Sequence, residues 1–408
     1  MIQGVIGSLV WAFEGMRKYV VLIFAVLMQM CLGGTYAWTV FAAGFSDQFG
    51  VSPDWAVMPF NTFYISFPLT MVLGGKLIAK LGTRASAMLG GALFGIGWLV
   101  ASLGAAGFWW TVVGAGVVGG VGVGLAYVAP IAVGVAWWPQ RRGLVTGLAV
   151  GGFAAGAALV SQVADVRIGA GASPFEVLRL CGGAYLGIAL IAGFFMRMPE
   201  SETTGRSTAK PQAAPSLGAL VRTPAFVALF AAMTVGLMAG FFVNSNLKQF
   251  SSAEGLRLIM SGAAVFAIAN AVGRIVWGLV SDYASIAGVI RVNLMSQAVV
   301  LALAPYLVTS GSGMLLFAAV TGFNYGGVLV LYAATVGRVW GNDAIAPVYG
   351  KLFAANILAS VLSKALTSLY NIDGALGVAG WTTAVALGVV AVVAMRWLTF
   401  PEQGASAS

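Results

Sequence analysis

The chain is 408 residues long, 60% of them hydrophobic and only 8% charged, with a formal net charge of +9. That balance and a mean hydropathy of +0.95 exclude an ordinary soluble globule and predict an all-α, polytopic membrane protein. The positive charge does not indicate a nucleic-acid partner, because the basic residues gather in the joints on one side of the apolar runs.

Apolar runs of about 20 to 28 residues, separated by short polar joints, predict twelve membrane-spanning helices. They lie near 19–43, 55–79, 85–106, 108–137, 142–166, 176–197, 224–248, 257–282, 288–308, 312–337, 345–370 and 375–398. The opening MIQGVIGSLVWAFEGMRK carries its positive charges next to the first span and has no small-residue cleavage site. It reads as a short amphipathic lead-in at the inner surface, not a removable signal. In the first span Gly33 and Gly34 permit close helix approach, Tyr36 lies deep enough to line a cavity, and Trp38 suits either an interfacial anchor or a cavity wall. Cys31 and Cys181 fall in spans without a spacing partner, so they read as buried apolar thiols, and neither metal nor cofactor is expected.

Placing both termini in the cytoplasm puts Arg17, Lys18, Lys76, Lys80, Arg84, Arg141, Arg142, Arg197, Arg206, Lys210, Arg222, Arg291, Arg338, Lys351 and Arg396 at inner joints and span ends. Only Arg167, Arg179, Lys248 and Arg257 then fall outside, with Arg274 and Lys364 inside spans. This is the positive-inside asymmetry, and it predicts a multi-pass protein of the cell inner membrane with the bilayer as its solvent.

GGKLIAKLGTRASAMLGG joins the second and third spans, and GLVSDYASIAGVIR holds the corresponding place between the eighth and ninth. The repeat predicts two six-helix bundles, 1–198 and 223–408, joined by a mobile cytoplasmic linker, 199–222, rich in Ser, Thr, Pro and Ala. The Gly-x-x-x-Asp-x-x-Gly-x-Arg joint and the whole-length arrangement resemble the major facilitator superfamily. The first copy keeps Gly75, Gly82 and Arg84 but has Ala79 in the Asp position; the second keeps Gly278 and Asp282 but has Ser285 and Ala287 in the Gly and Arg positions. The resemblance implies the twelve-helix fold and a gating role for Gly75, Arg84, Gly278 and Asp282. The departures bear on the inner-gate salt bridges that the family builds there.

The Tyr127 to Pro130 step, the joint from Trp137 to Gly143 (WWPQRRG) and the glycines after it resemble the oxalate:formate antiporter and monocarboxylate transporter branch. Pro139 ends a helix, Arg141 and Arg142 anchor the joint to anionic headgroups, and Gly147, Gly151, Gly152 and Gly156 let helices cross closely.

In the eighth span, SGAAVFAIANAVGRIVWGLVSD, Arg274 stands eight residues before Asp282, which places its charge about 12 Å inside the membrane. A central Arg costs about 2.5 to 3.5 kcal/mol even on lenient insertion scales, so it marks a binding site by default. Asn270, four residues earlier, shares its helix face and would orient the guanidinium fork, whose geometry matches a carboxylate. The resembling branch carries an acidic residue or Asn at the first of these positions and Arg at the second. All twelve acidic residues map to joints, termini or span edges, which makes an incoming anion the natural counterion.

The resemblance also implies pocket positions for Tyr127 and Tyr325, and it aligns Phe353 with an aromatic of the oxalate carriers and Asn356 with their second lysine. A neutral amide there favours a monocarboxylate over a dianion. Lys364, eight residues beyond Asn356, sits on nearly the same helical face; its stem reaches the outer interface, and an inward orientation would bring dicarboxylates back. Tyr36 and Phe153 complete the candidate rings.

These readings imply a carrier of small organic monocarboxylates. The alternatives are an oxalate/formate-type dicarboxylate antiporter and a drug or sugar exporter, although Val57 and Thr35 stand where the oxalate carriers place amides. No paired acids, nucleophile with base, or metal ligands occur at useful spacing, so an enzyme is not expected. With no histidine and no deep carboxylate, exchange or facilitated diffusion is favoured over symport, protons remaining a candidate coupling ion.

Overall fold

The computed structural model describes residues 2–199, 215–253, 262–341, 344–373 and 376–393. Most of the expected linker, and the basic residues Arg206, Lys210, Arg257 and Arg396, lie outside the described residues. Among the described residues all regular structure is helical, as hydrocarbon demands: each backbone N–H must find its carbonyl within its own segment. Nine of the described helical stretches are long and apolar enough to cross a membrane.

The chain forms two compact units, Met1–Ala213 with Ile345–Gly350, and Ala214–Ala344 with Lys351–Ser408. In the first, α1 (Ile2–Gly33) tightens into a 3-10 turn, Gly34–Ala37, before α2 (Trp38–Phe49). The expected lead-in is therefore not a separate element, because helical hydrogen bonding continues unbroken from Ile2 into the first span. The next two spans form one stretch, α3 (Met58–Ala101), interrupted at Gly82 with φ 78° and ψ 168°. Only glycine adopts that backbone readily, so a single residue does the work of the joint expected between 79 and 85.

The fourth span contains a π-helical stretch, Val112–Val118, then α4 (Gly119–Ala126) and α5 (Val128–Trp137). A π turn leaves a carbonyl short of a partner, and Ser66 Oγ of α3 donates to the Gly116 carbonyl at 2.6 Å. The unit closes with α6 (Arg142–Gly169) and α7 (Pro174–Phe194), the latter started by a Ser173/Glu176 capping box. Two glycines of the expected ladder do meet a neighbour: a Cβ on Gly152 or Gly156 would run into the Val26 or Met30 carbonyl of α1. Aromatic packing fills the core, and Trp38 belongs to it. It is fully buried against Phe41, Phe45 and Trp98, and its Nε1 donates to the Ala56 carbonyl at 3.2 Å. Trp38 is thus neither interfacial anchor nor cavity wall.

The second unit contains α8 (Pro224–Ala253), α9 (Gly262–Tyr283), α10 (Ile286–Ala302), α11 (Gly311–Trp340), α12 (Ala355–Asp373) and α13 (Leu376–Val393). Its closest crossing is α9 on α11. A Cβ on Gly273 would overlap the Phe323 carbonyl, one on Gly322 the Phe266 carbonyl, and one on Gly326 the Asn270 carbonyl, so backbone meets backbone there. Asn246 Nδ2 of α8 donates to Thr367 Oγ1 of α12 at 3.0 Å, and Asn293 Nδ2 of α10 to the Asn324 carbonyl of α11 at 3.0 Å.

Candidate functional site

The buried positions of α9 are Gly262, Phe266, Asn270, Gly273, Arg274, Trp277, Gly278 and Ser281. Their spacing of three and four residues is one face of a helix. Ile268, Val272 and Ile275 lie exposed on the other, which is where lipid belongs. Arg274 is consequently turned inward and only 3% exposed. Its Nε donates to Asn270 Oδ1 at 2.9 Å, which fixes the plane of the guanidinium, while Asn270 Nδ2 is buried without a hydrogen-bond partner among the described residues. Gly326 of α11 lies against the Asn270 backbone, so the close helix crossing sets the height of the pair.

Tyr325 stands next to Gly326. Its ring packs on Phe266 of α9 and Phe241 of α8, both 5.8 Å away, and covers Gly240. The structure therefore brings Asn270, Arg274 and Tyr325 to one helix junction. Phe353 and Asn356 belong to a different element. A short helix, Gly350–Leu352, ends in a turn at Phe353 and Ala354 before α12 begins; Asn356 N–H donates to the Phe353 carbonyl at 3.0 Å. Asn356 is 5% exposed and its Nδ2 has no partner among the described residues.

Lys364 does not share the face of Asn356. Eight residues advance a helix by about 80° past whole turns, and that rotation suffices: Asn356 falls with buried Ala355, Ala359 and Ser363, Lys364 with exposed Ile357 and Val361.

In the first unit Tyr36, Tyr127 and Phe153 come together. Phe153 meets the Tyr36 ring at 5.0 Å and the Tyr127 ring at 5.7 Å, both edge to face. Tyr64 stacks on Tyr36 at 5.8 Å. Gln29, which the sequence reading passed over, is fully buried and donates from Nε2 to the Tyr127 carbonyl at 3.0 Å. An amide inside an apolar run was the available signal, as it was for Asn293, Gln297 and Asn324, all buried in the second unit.

The two joints differ. Arg84 stacks its guanidinium carbon 4.0 Å from the centre of the Phe194 ring. In the second copy Asp282 pairs at 3.3 Å with Arg338 of α11, which also donates to the Ser281 carbonyl. The second joint thus keeps an ion pair, drawn from a helix end, although Ala287 replaces the motif's own Arg. Gly278 lies in the buried face, its carbonyl accepting from Ser281 Oγ at 2.7 Å. Gly75 lies within α3.

The oxalate:formate antiporter of Oxalobacter formigenes is 28% identical to this chain over 409 residues, covering 96% of this chain and 93% of that protein. Apicoplast pyruvate carrier 1 of Toxoplasma gondii is 25% identical over 396 residues, covering 79% of this chain and 71% of that protein. The fold is shared with the solved transporter FucP in its outward conformation, at a TM-score of 0.72 and 15% identity over 93% of this chain and 99% of the other. The proton:xylose symporter XylE bound to 6-bromo-6-deoxy-D-glucose gives a TM-score of 0.71, again at 15% identity, over 95% and 97% of the two chains. The Major Facilitator Superfamily profile matches residues 22–364, a span that runs from α1 into α12, and this shows that the chain belongs to that superfamily of transporters, whose fold has twelve helices.

Proposed function

We propose that this protein carries small organic monocarboxylate anions across the inner membrane by alternating access. The supporting observation is Arg274: a desolvated cation on the inward face of a membrane-length helix, its fork oriented by an amide and not by a carboxylate of its own helix. Burying that charge is costly unless an anion meets it. Two relatives whose names specify small carboxylates, the oxalate:formate antiporter and the pyruvate carrier, support the same reading.

Asn356, neutral and buried, favours one carboxylate head over two, and Lys364, on the exposed face of α12, supplies no second cation beside it. A dicarboxylate antiporter is the second reading, favoured by the Oxalobacter formigenes relative alone. We place the termini in the cytoplasm, treat 1–198 and 223–408 as the moving bundles, and assign the Asp282–Arg338 pair to the inner gate.

Counterflow into proteoliposomes with labelled pyruvate, lactate, formate, oxalate and a neutral sugar tests this. Pyruvate, lactate or formate should exchange faster than oxalate, and the sugar should not exchange. Exchange of the sugar alone would remove the carboxylate reading, and a preference for oxalate would replace it with the second.

Asn270 offers a sharper test. Asn270→Leu should raise the half-saturating carboxylate concentration roughly ten- to hundredfold, the worth of a hydrogen bond to a charged group. Asn270→Asp should be worse, because a carboxylate at the atom that now accepts from Arg274 Nε would hold the guanidinium more tightly and compete with the substrate. An aspartate variant that transports normally would contradict the role given to this pair.

A further inference from the structure

Two arginines meet one aromatic ring at an end of the first unit. Arg84, just past the Gly82 break, sets its guanidinium carbon 4.0 Å from the centre of the Phe194 ring, and Arg197 sets its own 5.0 Å from the same centre. Both are cation–π contacts, and they hold two like charges closer than the ~10 Å over which salt screens them. Neither guanidinium is paired with a carboxylate among the described residues. An anion within reach of both forks would offset this repulsion.

Two elements hold the Arg197 segment in place. Thr83 Oγ1 of α3 donates to the Met196 carbonyl at 3.1 Å, and Trp137 Nε1 at the end of α5 donates to the Arg197 carbonyl at 2.8 Å. The chain after α7 is thereby fastened to both neighbours, and Arg197 with it.

Next to the arginines lies an open groove of about 340 Å³ lined by Met88, Leu190, Ile191, Phe194 and Phe195, all apolar. Met88 is one turn beyond Arg84 on α3, and Leu190 and Ile191 are one turn before Phe194 on α7. Phe24 of α1 stacks on Phe195 at 4.2 Å and fixes that wall. The arginines therefore meet at Phe194, one wall of a groove that runs along two membrane-length helices.

What fits is a molecule with an anionic head and a long apolar tail. We propose that this is a site for one anionic phospholipid, its phosphate held by the Arg84 and Arg197 forks beside Phe194 and an acyl chain lying over Met88, Leu190 and Ile191. Planar guanidinium groups match phosphate oxygens in pairs, and basic pockets between spanning helices suit anionic headgroups. A choline headgroup would bring a third cation to the pair, and free phosphate would leave the groove unused. The lipid so bound ties the segment after Gly82 to the end of α7.

The test is native mass spectrometry of the detergent-purified full chain after exchange with dioleoyl phosphatidylglycerol or dioleoyl phosphatidylcholine. One phosphatidylglycerol per chain should survive activation that strips phosphatidylcholine. Combining Arg84→Gln with Arg197→Gln should cut the retained fraction about tenfold, the charge-assisted hydrogen bonds being lost. Ile191→Trp, at an exposed position, should fill the groove and cut retention with both arginines intact. In a separate arm, inorganic phosphate alone should not raise the thermal stability that phosphatidylglycerol raises. Equal retention of the two lipids, or undiminished retention in both variants, would overturn the site; stabilisation by phosphate alone would make it a free-anion site and overturn the lipid assignment.

Discussion

Replacing Arg274 with glutamine is expected to abolish carboxylate counterflow while leaving the protein folded and in the membrane. The side chain is 3% exposed, and its Nε is already engaged by Asn270 Oδ1 at 2.9 Å, so its plane is fixed before any anion arrives. A desolvated, hydrogen-bonded charge pair loses about 3 to 5 kcal/mol when one partner is removed, or roughly a hundred- to several-thousandfold in affinity. Glutamine keeps much of the length and a hydrogen-bonding amide but carries no charge. Arg274→Lys separates the two contributions: it restores charge without the planar fork, so it should recover only a small part of the exchange. Circular dichroism and size-exclusion behaviour in detergent report whether each variant is folded. Normal carboxylate counterflow by a folded Arg274→Gln protein would overturn the role given to Arg274.

Gly326→Val is expected to destabilise the second unit strongly, because the added side chain meets the backbone of α9. A Cβ at Gly326 would overlap the Asn270 carbonyl and come within 3.0 Å of the Arg274 backbone nitrogen. Those are backbone atoms of α9 and cannot swing aside, so α9 and α11 must separate. Overpacking of this kind costs about 1 to 3 kcal/mol and occasionally more, and the separation would also displace the Asn270–Arg274 pair. The variant should therefore lose thermal stability and transport together. Gly187→Ala is the control, since nothing lies within 4 Å of the added methyl; its melting temperature and exchange rate should match the parent. A Gly326→Val protein as stable as that control would show that the close approach of α9 and α11 contributes nothing to stability.

How much of this was legible in advance differs from residue to residue. That Asn270 and Arg274 share a face follows from a four-residue separation on any helix, and that the face turns inward follows from the cost of showing a guanidinium to lipid. Neither inference needs to know which helix lies opposite. Gln29 was as visible in the string as Asn270, yet what it holds, the Tyr127 carbonyl, depends on a helix ninety-eight residues away. Asp282 could be assigned to a joint, but Arg338 lies at the end of a helix that the motif does not include, so the pairing was not readable.

The sequence by itself determined that the chain lives in a membrane and that one buried arginine and its asparagine point the same way, while its joint motifs supplied the resemblance to the major facilitator superfamily. Hydropathy, helical period and the cost of a buried charge are local quantities, additive along the chain. Only the tertiary structure decided that Trp38 is core, that Lys364 turns away from Asn356, that Gly82 alone breaks α3, and that Arg84 stacks on Phe194 beside Arg197. Each of these depends on which neighbour stands across from a given residue, and a helix turns by about 100° with every residue, so a pattern read to within a turn cannot choose among neighbours.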